Sequence, residues 1–335
     1  MDWKDKTILI TGGTGSFGKK FTKIALEEKR PRKIIIFSRD ELKQHEMKMH
    51  GYDHPSLRYF IGDVRDRERL VRAMNGVDIV VHAAALKQVP TCEYNPMEAI
   101  KTNIMGSANV VEAALDASVK KVMTISTDKA VNPLNLYGAT KLAAEKLTVQ
   151  SNAYAAGTAT RYSCVRYGNV VGSRGSVVPL FLKQRVSGTV TITDDRMTRF
   201  WLSLEQGVRF VMSCIEQMQG GEVFVPKFPS TKVIDLARAI VPNAKIDIIG
   251  IRPGEKLHEV LISEDEARNT VERETLFIVK PPETLWKRDM HYEGEPLPDG
   301  YRYSSDTNTQ WLDINGIKEF VAPFEELYSQ GKLEG

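Results

Sequence analysis

Short apolar segments rich in β-branched residues alternate with longer amphipathic segments over the first half of the chain. Buried strands are predicted at residues 7–10, 33–37, 57–61, 78–83, 121–126 and 162–167, and the intervening stretches, such as residues 16–29 and 98–117, have helical spacing. Strands that alternate with helices in this way favour a parallel sheet with helices on both faces. We therefore predict an α/β fold built on a doubly wound parallel sheet.

The pattern changes after residue 168, where glycine and proline interrupt shorter segments. Strands are predicted at residues 189–193 and 222–225, and helices at residues 204–218 and 232–239. We expect residues 1–170 to form the sheet domain, with some later segments returning to it, and residues 171–281 to form mainly a smaller, interleaved lobe. Residues 282–335 would be a C-terminal extension, extended up to about residue 303 because that part is rich in Pro, Gly and charge.

Composition narrows the class of protein. The chain has 335 residues, of which 42% are hydrophobic and 27% charged, as in folded globular proteins. Its 46 Lys and Arg nearly balance 43 Asp and Glu, for a net charge of +3, and they form no long basic run. We therefore expect no nucleic-acid partner. No segment approaches the ~18 apolar residues that span a bilayer, so we expect no membrane partner either.

The cysteines and histidines give no sign of a disulfide framework or a metal site. The cysteines are odd in number and lack CxxC spacing, which is typical of a reducing compartment, and we predict the cytoplasm: Cys92, Cys164 and Cys214. The clustered histidines are separated by five and four residues, which does not place all of them on one helical face: His45, His50 and His54. We predict no metal ligands.

A glycine-rich segment, residues 11–18, lies between the first predicted strand and the first predicted helix. Glycines in such a turn allow backbone N–H groups to approach a pyrophosphate at the positive end of the helix. We therefore predict a Rossmann-type dinucleotide site, with contacts from Gly12, Thr14, Gly15, Ser16, Phe17 and Gly18.

The end of the second strand bears on which dinucleotide binds. Ser38, Arg39 and Lys43 favour a ribose 2′-phosphate and hence NADP, whereas Asp40 leaves open the acidic partner that NAD sites use. Further contacts are expected after the third strand, at the adenine edge, and after the fourth, where small side chains leave space: Asp63, Val64, Ala83 and Ala85.

Tyr137 and Lys141 are four residues apart and would share one face of a helix. A tyrosine with an ordinary pKa of ~10 becomes a useful base only beside positive charge, such as the ammonium of Lys141 and an oxidised nicotinamide. Both residues are therefore expected to contact the cofactor. Thr127, at the end of the fifth strand, is placed to hydrogen-bond a substrate oxygen. This set predicts oxidation of an alcohol.

These motifs together resemble the extended short-chain dehydrogenase/reductase family. The resemblance rests on glycines 12, 15 and 18, Thr127, Tyr137, Lys141 and residues 166–170, and extends to about residue 281. In that family, epimerases tend to carry small uncharged residues after the Ser/Thr, and common sugar-nucleotide dehydratases carry Asp-Glu. This chain has Asp128-Lys129 there. With residues 85–90, 172–179, 197–201 and 252–256, it closely resembles the inverting UDP-N-acetylglucosamine 4,6-dehydratases of bacterial pseudaminic acid synthesis.

The resemblance implies a lyase with tightly bound NADP that is regenerated in each cycle, a UDP-N-acetylglucosamine substrate and a homo-oligomer, dimer or hexamer. Tyr137 would take the C4 hydroxyl proton during oxidation, after which Lys129 would act as base at C5 and Asp128 as acid at the C6 hydroxyl. A lysine base needs a lowered pKa, and we expect burial and cations such as Lys141 to lower that of Lys129.

Substrate contacts are expected mainly in the second lobe. Arg199, Arg252 and Lys183 would bind the pyrophosphate, Glu255 the uridine ribose, and Lys87 the substrate from the loop after the fourth strand. By analogy with the family, the remaining nucleotide contacts would be Asn169, Val177, Val178, Pro179 and Leu180.

Two other functions remain open from the residues. An NADP-dependent UDP-sugar epimerase, or a dehydratase that also epimerises, would pass through the same 4-keto sugar. A non-enzymatic NADP sensor would need the glycines alone, and the intact pair Tyr137 and Lys141 argues against it.

Overall fold

The computed structural model describes residues 1–171, 177–281 and 290–330. The strands within them are β1 (Thr7–Thr11), β2 (Lys33–Ser38), β3 (Leu57–Ile61), β4 (Ile79–His82), β5 (Lys121–Ile125), β6 (Arg161–Val165), β7 (Asn169–Val171), β8 (Thr189–Ile192), β9 (Thr198–Ser203), β10 (Val223–Pro226), β11 (Ser230–Lys232), β12 (Lys245–Ile248), β13 (Val260–Ile262), β14 (Thr270–Glu272), β15 (Leu276–Val279), β16 (Glu295–Pro296) and β17 (Tyr303–Ser304).

The helices of the same residues are α1 (Ser16–Ile24), α2 (Glu41–Met49), α3 (Arg67–Met74), α4 (Val89–Tyr94), α5 (Pro96–Ala99), α6 (Gly106–Asp116), α7 (Leu136–Tyr154), α8 (Val177–Gln184), α9 (Leu204–Gln217), α10 (Val233–Ile240), α11 (Glu264–Ala267) and α12 (Ile314–Ser329). Two π-helical segments, Ala25–Lys29 and Ile100–Met105, continue α1 and precede α6.

The central sheet of the described chain has ten strands in the order β16-β14-β15-β10-β6-β5-β4-β1-β2-β3. Strands β3, β2, β1, β4, β5, β6 and β10 run parallel, and β15, β14 and β16 continue the sheet antiparallel. Side chains of β1 alternate between the faces, with Ile8 and Ile10 in the core cluster that includes Phe21 of α1, and Leu9 in the cluster that includes Val110 of α6. The predicted doubly wound α/β fold is confirmed.

A second hydrophobic core lies beside the sheet. It joins α8, α10 and α12 through side chains such as Phe181, Leu236 and Val321, and it packs against the short strands β8 and β9. The amphipathic α12 was not among the predicted elements, although it supplies part of this core. The domain boundaries at residues 170 and 281 stay a prediction.

Two elements that follow residue 170 belong with the central sheet. Strand β10 pairs in parallel with β6 in the central sheet, and α9 packs Val208 and Val211 into the same core as β1. The chain therefore returns to the main sheet after β9, because the apolar face of α9 and the fully buried β10 complete that sheet rather than the smaller core.

Candidate active site

A cleft of about 1390 Å³ runs along the carboxyl ends of the parallel strands β1, β2, β4 and β5 and is bordered by α8 on the other side. Ligands of open α/β sheets bind at this edge, where neighbouring connections leave in opposite directions. All but two of the predicted site residues line the cleft, the exceptions being Gly18 and Val178. The segment 172–176, which contributed to the resemblance, lies outside the described residues.

The glycine-rich turn forms one end of the cleft. Gly12 has a positive φ of 66°, and a Cβ there would lie 3.0 Å from the backbone of Ala84. Gly15 is the N-cap of α1 and provides no side chain to cap it, so the first N–H groups of the helix stay available to a ligand. Gly18 packs against the turn, since a Cβ there would lie 2.3 Å from the Gly13 carbonyl oxygen.

Asp40 lies just after β2 and is the N-cap of α2. Its carboxylate caps α2 by accepting from the Lys43 N–H at 3.0 Å, and it also lies 3.0 Å from Lys43 Nζ. These hydrogen bonds lower the pKa of Asp40. Ser38 Oγ lies 3.0 Å from Thr14 Oγ1, which ties the strand end to the glycine turn. Arg39 lies on the cleft with more than half of its side chain exposed.

Asp63 and Val64 border the same end of the cleft. The Asp63 carboxylate accepts two hydrogen bonds from the Arg65 guanidinium, at 2.7 and 3.0 Å. Burial raises the pKa of Asp63, but Arg65 and the more distant Arg39 outweigh it and the pKa is lowered. Val64 is buried and contacts the helix α6 at Gly106, where a Cβ would meet its Cγ2 at 2.7 Å.

Helix α7 presents Tyr137 and Lys141 to the cleft. Asn135 begins the helix by accepting from the Gly138 N–H at 2.8 Å, and its amide donates to the Gly254 carbonyl at 2.8 Å. Sequence reasoning missed this residue, although an asparagine just before a predicted helix is a recognised N-cap signal. The cap fixes the first turn of α7, which carries Tyr137, against the loop of residues 252–256.

Burial shifts the pKa of both Tyr137 and Lys141. It raises the pKa of Tyr137 to about 12, against the opposing effects of the Lys129 charge and a hydrogen bond with Thr127. It lowers the pKa of Lys141 to about 8, and the ammonium donates to the Ile125 carbonyl oxygen at 2.6 Å. At neutral pH the phenol is therefore protonated and Lys141 is mostly charged.

The segment after β5 forms a tight turn. Thr127 caps the short 3-10 helix Asp128–Ala130, and its hydroxyl donates to Asp128 Oδ1 at 2.8 Å. Lys129 Nζ lies 3.1 Å from Asp128 Oδ1 and 3.4 Å from Glu259 Oε1. Asp128 is almost fully buried, so this ion pair belongs to the cleft and not to the protein surface.

The prediction that the pKa of Lys129 is lowered is wrong. Burial and Arg199 do lower it, but the carboxylates of Asp128 and Glu259 outweigh them, and the pKa lies above its ordinary value. Lys141 is not among the groups that act on it most strongly. Lys129 is therefore an ammonium in this structure.

The second lobe supplies the remaining predicted contacts. Helix α8 places Val177, Pro179, Leu180 and Lys183 on the cleft, while Val178 turns into the core beneath it. The prediction that Val178 contacts the nucleotide is therefore wrong, because successive residues of a helix point about 100° apart. On the same cleft lie Asn169, Lys87, Arg252 and Glu255.

Arg199 differs from the pyrophosphate ligand that we expected. It is buried, and its guanidinium donates to the backbone carbonyls of Thr198, Leu257 and Lys256 at 2.6 to 3.0 Å. It also lies 3.6 Å from Glu259. Arg199 borders the cleft, but two of its hydrogen bonds hold the 256–257 loop in place.

Glu259 is the principal residue that sequence reasoning missed. It is separated from Lys129 by 130 residues and belongs to no recognisable local motif, so no pattern along the chain places it at the site.

Residues 8–281 match the family model described as polysaccharide biosynthesis protein. The chain belongs to this family. Within it, the chain is similar to the inverting UDP-N-acetylglucosamine 4,6-dehydratase of Campylobacter jejuni, with 54% identity over 94% of this chain and 97% of that protein. The resemblance drawn from the motifs is thereby confirmed.

Two further proteins are similar to this chain over most of its length. A UDP-glucose 4-epimerase of Rickettsia canadensis is 41% identical over 95% of each chain. The solved structure of Pen from Bacillus thuringiensis superposes with a TM-score of 0.88 at 38% identity, covering 97% of this chain and 99% of that one. In the described part of the chain, no helix is long and apolar enough to cross a membrane.

Proposed function

We propose that this chain catalyses the 4,6-dehydration of UDP-N-acetylglucosamine with inversion at C5, giving UDP-2-acetamido-2,6-dideoxy-β-L-arabino-hex-4-ulose. The observation that carries the proposal is the ion pair of Asp128 and Lys129, 3.1 Å apart in the cleft that also contains Tyr137. Elimination of water needs one group that accepts a proton and one that donates it, beside a group that assists oxidation. The identity of 54% to a named inverting dehydratase supports this choice.

NADP is the cofactor that we propose. The glycine turn fits a dinucleotide, because Gly12 lets the turn pass close to Ala84, where a Cβ would lie 3.0 Å from the backbone, and Gly15 leaves the α1 terminus open. Asp40 already caps α2, whereas Arg39 and Ser38 line the cleft at the end of β2, where they would contact a 2′-phosphate. When bound, the cofactor would accept a hydride from C4 and return it to C6.

Tyr137 would accept the C4 hydroxyl proton while Thr127 orients that oxygen. In this structure its pKa of about 12 disfavours the phenolate, so nearby positive charge has to stabilise it. The charge of Lys129 already lowers the pKa of Tyr137. Lys141, which is mostly protonated at neutral pH, lies one turn after Tyr137 on α7.

The 4-keto group then acidifies the C5 hydrogen, and the pair of Asp128 and Lys129 completes the elimination. One proton is shared by the pair, and it lies on Lys129 in this structure. For Lys129 to act as the C5 base, that proton first passes across the 3.1 Å contact to Asp128. Asp128 then gives it to the departing C6 hydroxyl as Lys129 takes the C5 proton, so water leaves and the pair keeps one proton.

Incubation with UDP-N-acetylglucosamine in deuterated water, followed by mass spectrometry and NMR, tests the proposal. Loss of one water, deuterium at C5 and an inverted C5 centre are expected, and Lys129→Ala should abolish C5 exchange. Unchanged mass with a new C4 epimer would refute dehydration and favour the epimerase, the activity named for the Rickettsia relative. A chain that retains NADP yet converts no UDP- or dTDP-sugar would favour the sensor.

We propose further that the enzyme is a homo-oligomer that supplies pseudaminic acid synthesis, on the strength of the motif resemblance. The number and spacing of its cysteines support the cytoplasm as the place where it acts. Light scattering on the purified protein tests the assembly, and a monomer at micromolar concentration would contradict it.

A further inference from the structure

The charges around Lys129 come from several elements of the fold. Asp128 in its own turn and Glu259, just before β13, are negative, whereas Arg199 on β9, Lys256 in the preceding loop and Lys87 after β4 are positive. Tyr137 on α7 faces it as a neutral phenol. With three cations nearby, the two carboxylates are what keep an ammonium stable at this position.

Glu259 is a buried carboxylate that contacts both Lys129 and Arg199. Its side chain is 3% exposed, Oε1 lies 3.4 Å from Lys129 Nζ and 3.6 Å from Arg199 Nε, and Oε2 is buried without a hydrogen-bond partner among the described residues. Burying a carboxylate with one oxygen unpaired is costly, and the contacts of Oε1 with Lys129 and Arg199 offset part of that cost.

The C-terminal extension holds Glu259 in place. Strand β17 pairs with β13, the Glu259 N–H donates to Ser305 Oγ at 2.9 Å, and the Ser305 N–H donates to the Glu259 carbonyl at 2.8 Å. Ser304 Oγ donates to the same carbonyl at 3.2 Å. The backbone of Glu259 is thereby fixed on both sides, which gives the extension a direct connection to the cleft.

We propose that Glu259 is a positioning residue of the proton-transfer site, which the C-terminal extension presents to Lys129 so that the shared proton rests on Lys129 rather than on Asp128 between turnovers. Its kinetic consequence rests on the proposed function. Glu259 contacts Lys129 and Arg199 and acts on the reaction through Lys129.

Amine labelling tests the proposal without reference to turnover. The purified protein is treated with a small amine-reactive reagent at mildly alkaline pH, and the modification rate of each lysine is read by peptide mass spectrometry. Glu259→Gln removes one charge at 3.4 Å without changing the shape, which lowers a pKa by about one unit even with the screening of bulk water. Lys129 should then react about tenfold faster, since only the neutral amine reacts.

Two comparisons make the labelling specific. Glu259→Asp keeps the charge and should leave the rate for Lys129 within about threefold of the unsubstituted protein. The exposed Lys245, which pairs with Asp247, serves as the internal standard and should be unaffected. Labelling of Lys129 at an unchanged rate in Glu259→Gln overturns the proposal, as does an equal increase in Glu259→Asp.

The rate of C5 exchange in deuterated water at neutral pH provides the second readout. Because the proton has to leave Lys129 before Lys129 can take the C5 proton, Glu259→Gln should raise this rate, by up to about tenfold. A role limited to folding would lower both the melting temperature and this rate, and would overturn the proposal. If the unsubstituted protein converts no UDP-N-acetylglucosamine, the proposed function fails, and the labelling still decides the effect of Glu259 on Lys129.

Discussion

Replacement of Arg166 by methionine should destabilise the protein strongly. The guanidinium is fully buried and donates to Glu145 on α7, to both carboxylate oxygens of Glu266 at 2.8 and 2.9 Å, and to the Leu261 carbonyl at 2.8 Å. Glu145 also accepts from Ser126 Oγ at the cleft, at 2.7 Å. Methionine fills most of the volume but removes the counter-charge of the buried Glu145 and of the partly buried Glu266.

The pKa of Glu266 gives the size of the expected loss of folding free energy. Burial raises it, but Arg166 and the Ser263 backbone outweigh burial and hold it at about 2, compared with an ordinary value of 4.5. A difference of about 2.5 units corresponds to about 3 kcal/mol of folding free energy. Including Glu145, we expect a loss of about 3–5 kcal/mol at pH 7, as is typical when one partner of a buried ion pair is removed.

The sign of the pH dependence follows from the same values. The contribution of Glu266 in the unsubstituted protein is complete above pH 4.5 and is lost as pH falls towards 2. In Arg166→Met, the Ser263 backbone and Lys146 still act on Glu266, but Arg166 no longer outweighs its burial, so the pKa of Glu266 rises and its protonation relieves the penalty as pH falls. The difference between the two proteins should therefore shrink from pH 7 towards pH ~4.

Urea unfolding followed by circular dichroism at several pH values measures this difference. The control is Arg196→Met, because Arg196 makes a similar two-point contact with Asp194, at 2.8 and 3.0 Å, but on the surface. It should change stability little. A loss below ~1 kcal/mol in Arg166→Met at pH 7, or a loss independent of pH, would refute the reasoning.

Three further outcomes are expected at the site. Gly138→Ala should lower kcat by at least about tenfold, since its Cβ would overlap the Lys129 carbonyl oxygen. Gly207→Ala on α9 should be tolerated, because its Cβ would meet only a flexible leucine methyl at 3.1 Å. Equal effects of the two substitutions on kcat would contradict this expectation. Arg39→Ala should weaken NADP binding about 10- to 100-fold but NAD binding little, measured by calorimetry, and equal losses for both would favour NAD as the natural cofactor. The kcat should fall as pH rises through about 8, where Lys141 loses the proton that supports Tyr137, and a kcat constant to pH ~9 would argue against that role.

The features that the sequence predicted are those whose physics is local. The alternation of strands and helices produced the parallel sheet, the glycine turn lies between β1 and α1, and the spacing of Tyr137 and Lys141 places both on α7. In each case a few consecutive residues determine backbone conformation or helical face, so a short window of sequence contains the necessary information.

The tertiary structure alone decided how distant segments meet. Strands β10, β14 and β15 return to the central sheet although their sequences would suit either core, because strand pairing depends on which edge is available. The pKa of Lys129 likewise depends on the fold: a neighbouring cation suggested a lowered value, and the carboxylates of the adjacent Asp128 and of Glu259, 130 residues away in the chain, reversed it. Electrostatic effects depend on distance in space and on burial, neither of which sequence separation measures, and the charge state of the site was therefore settled only by the fold.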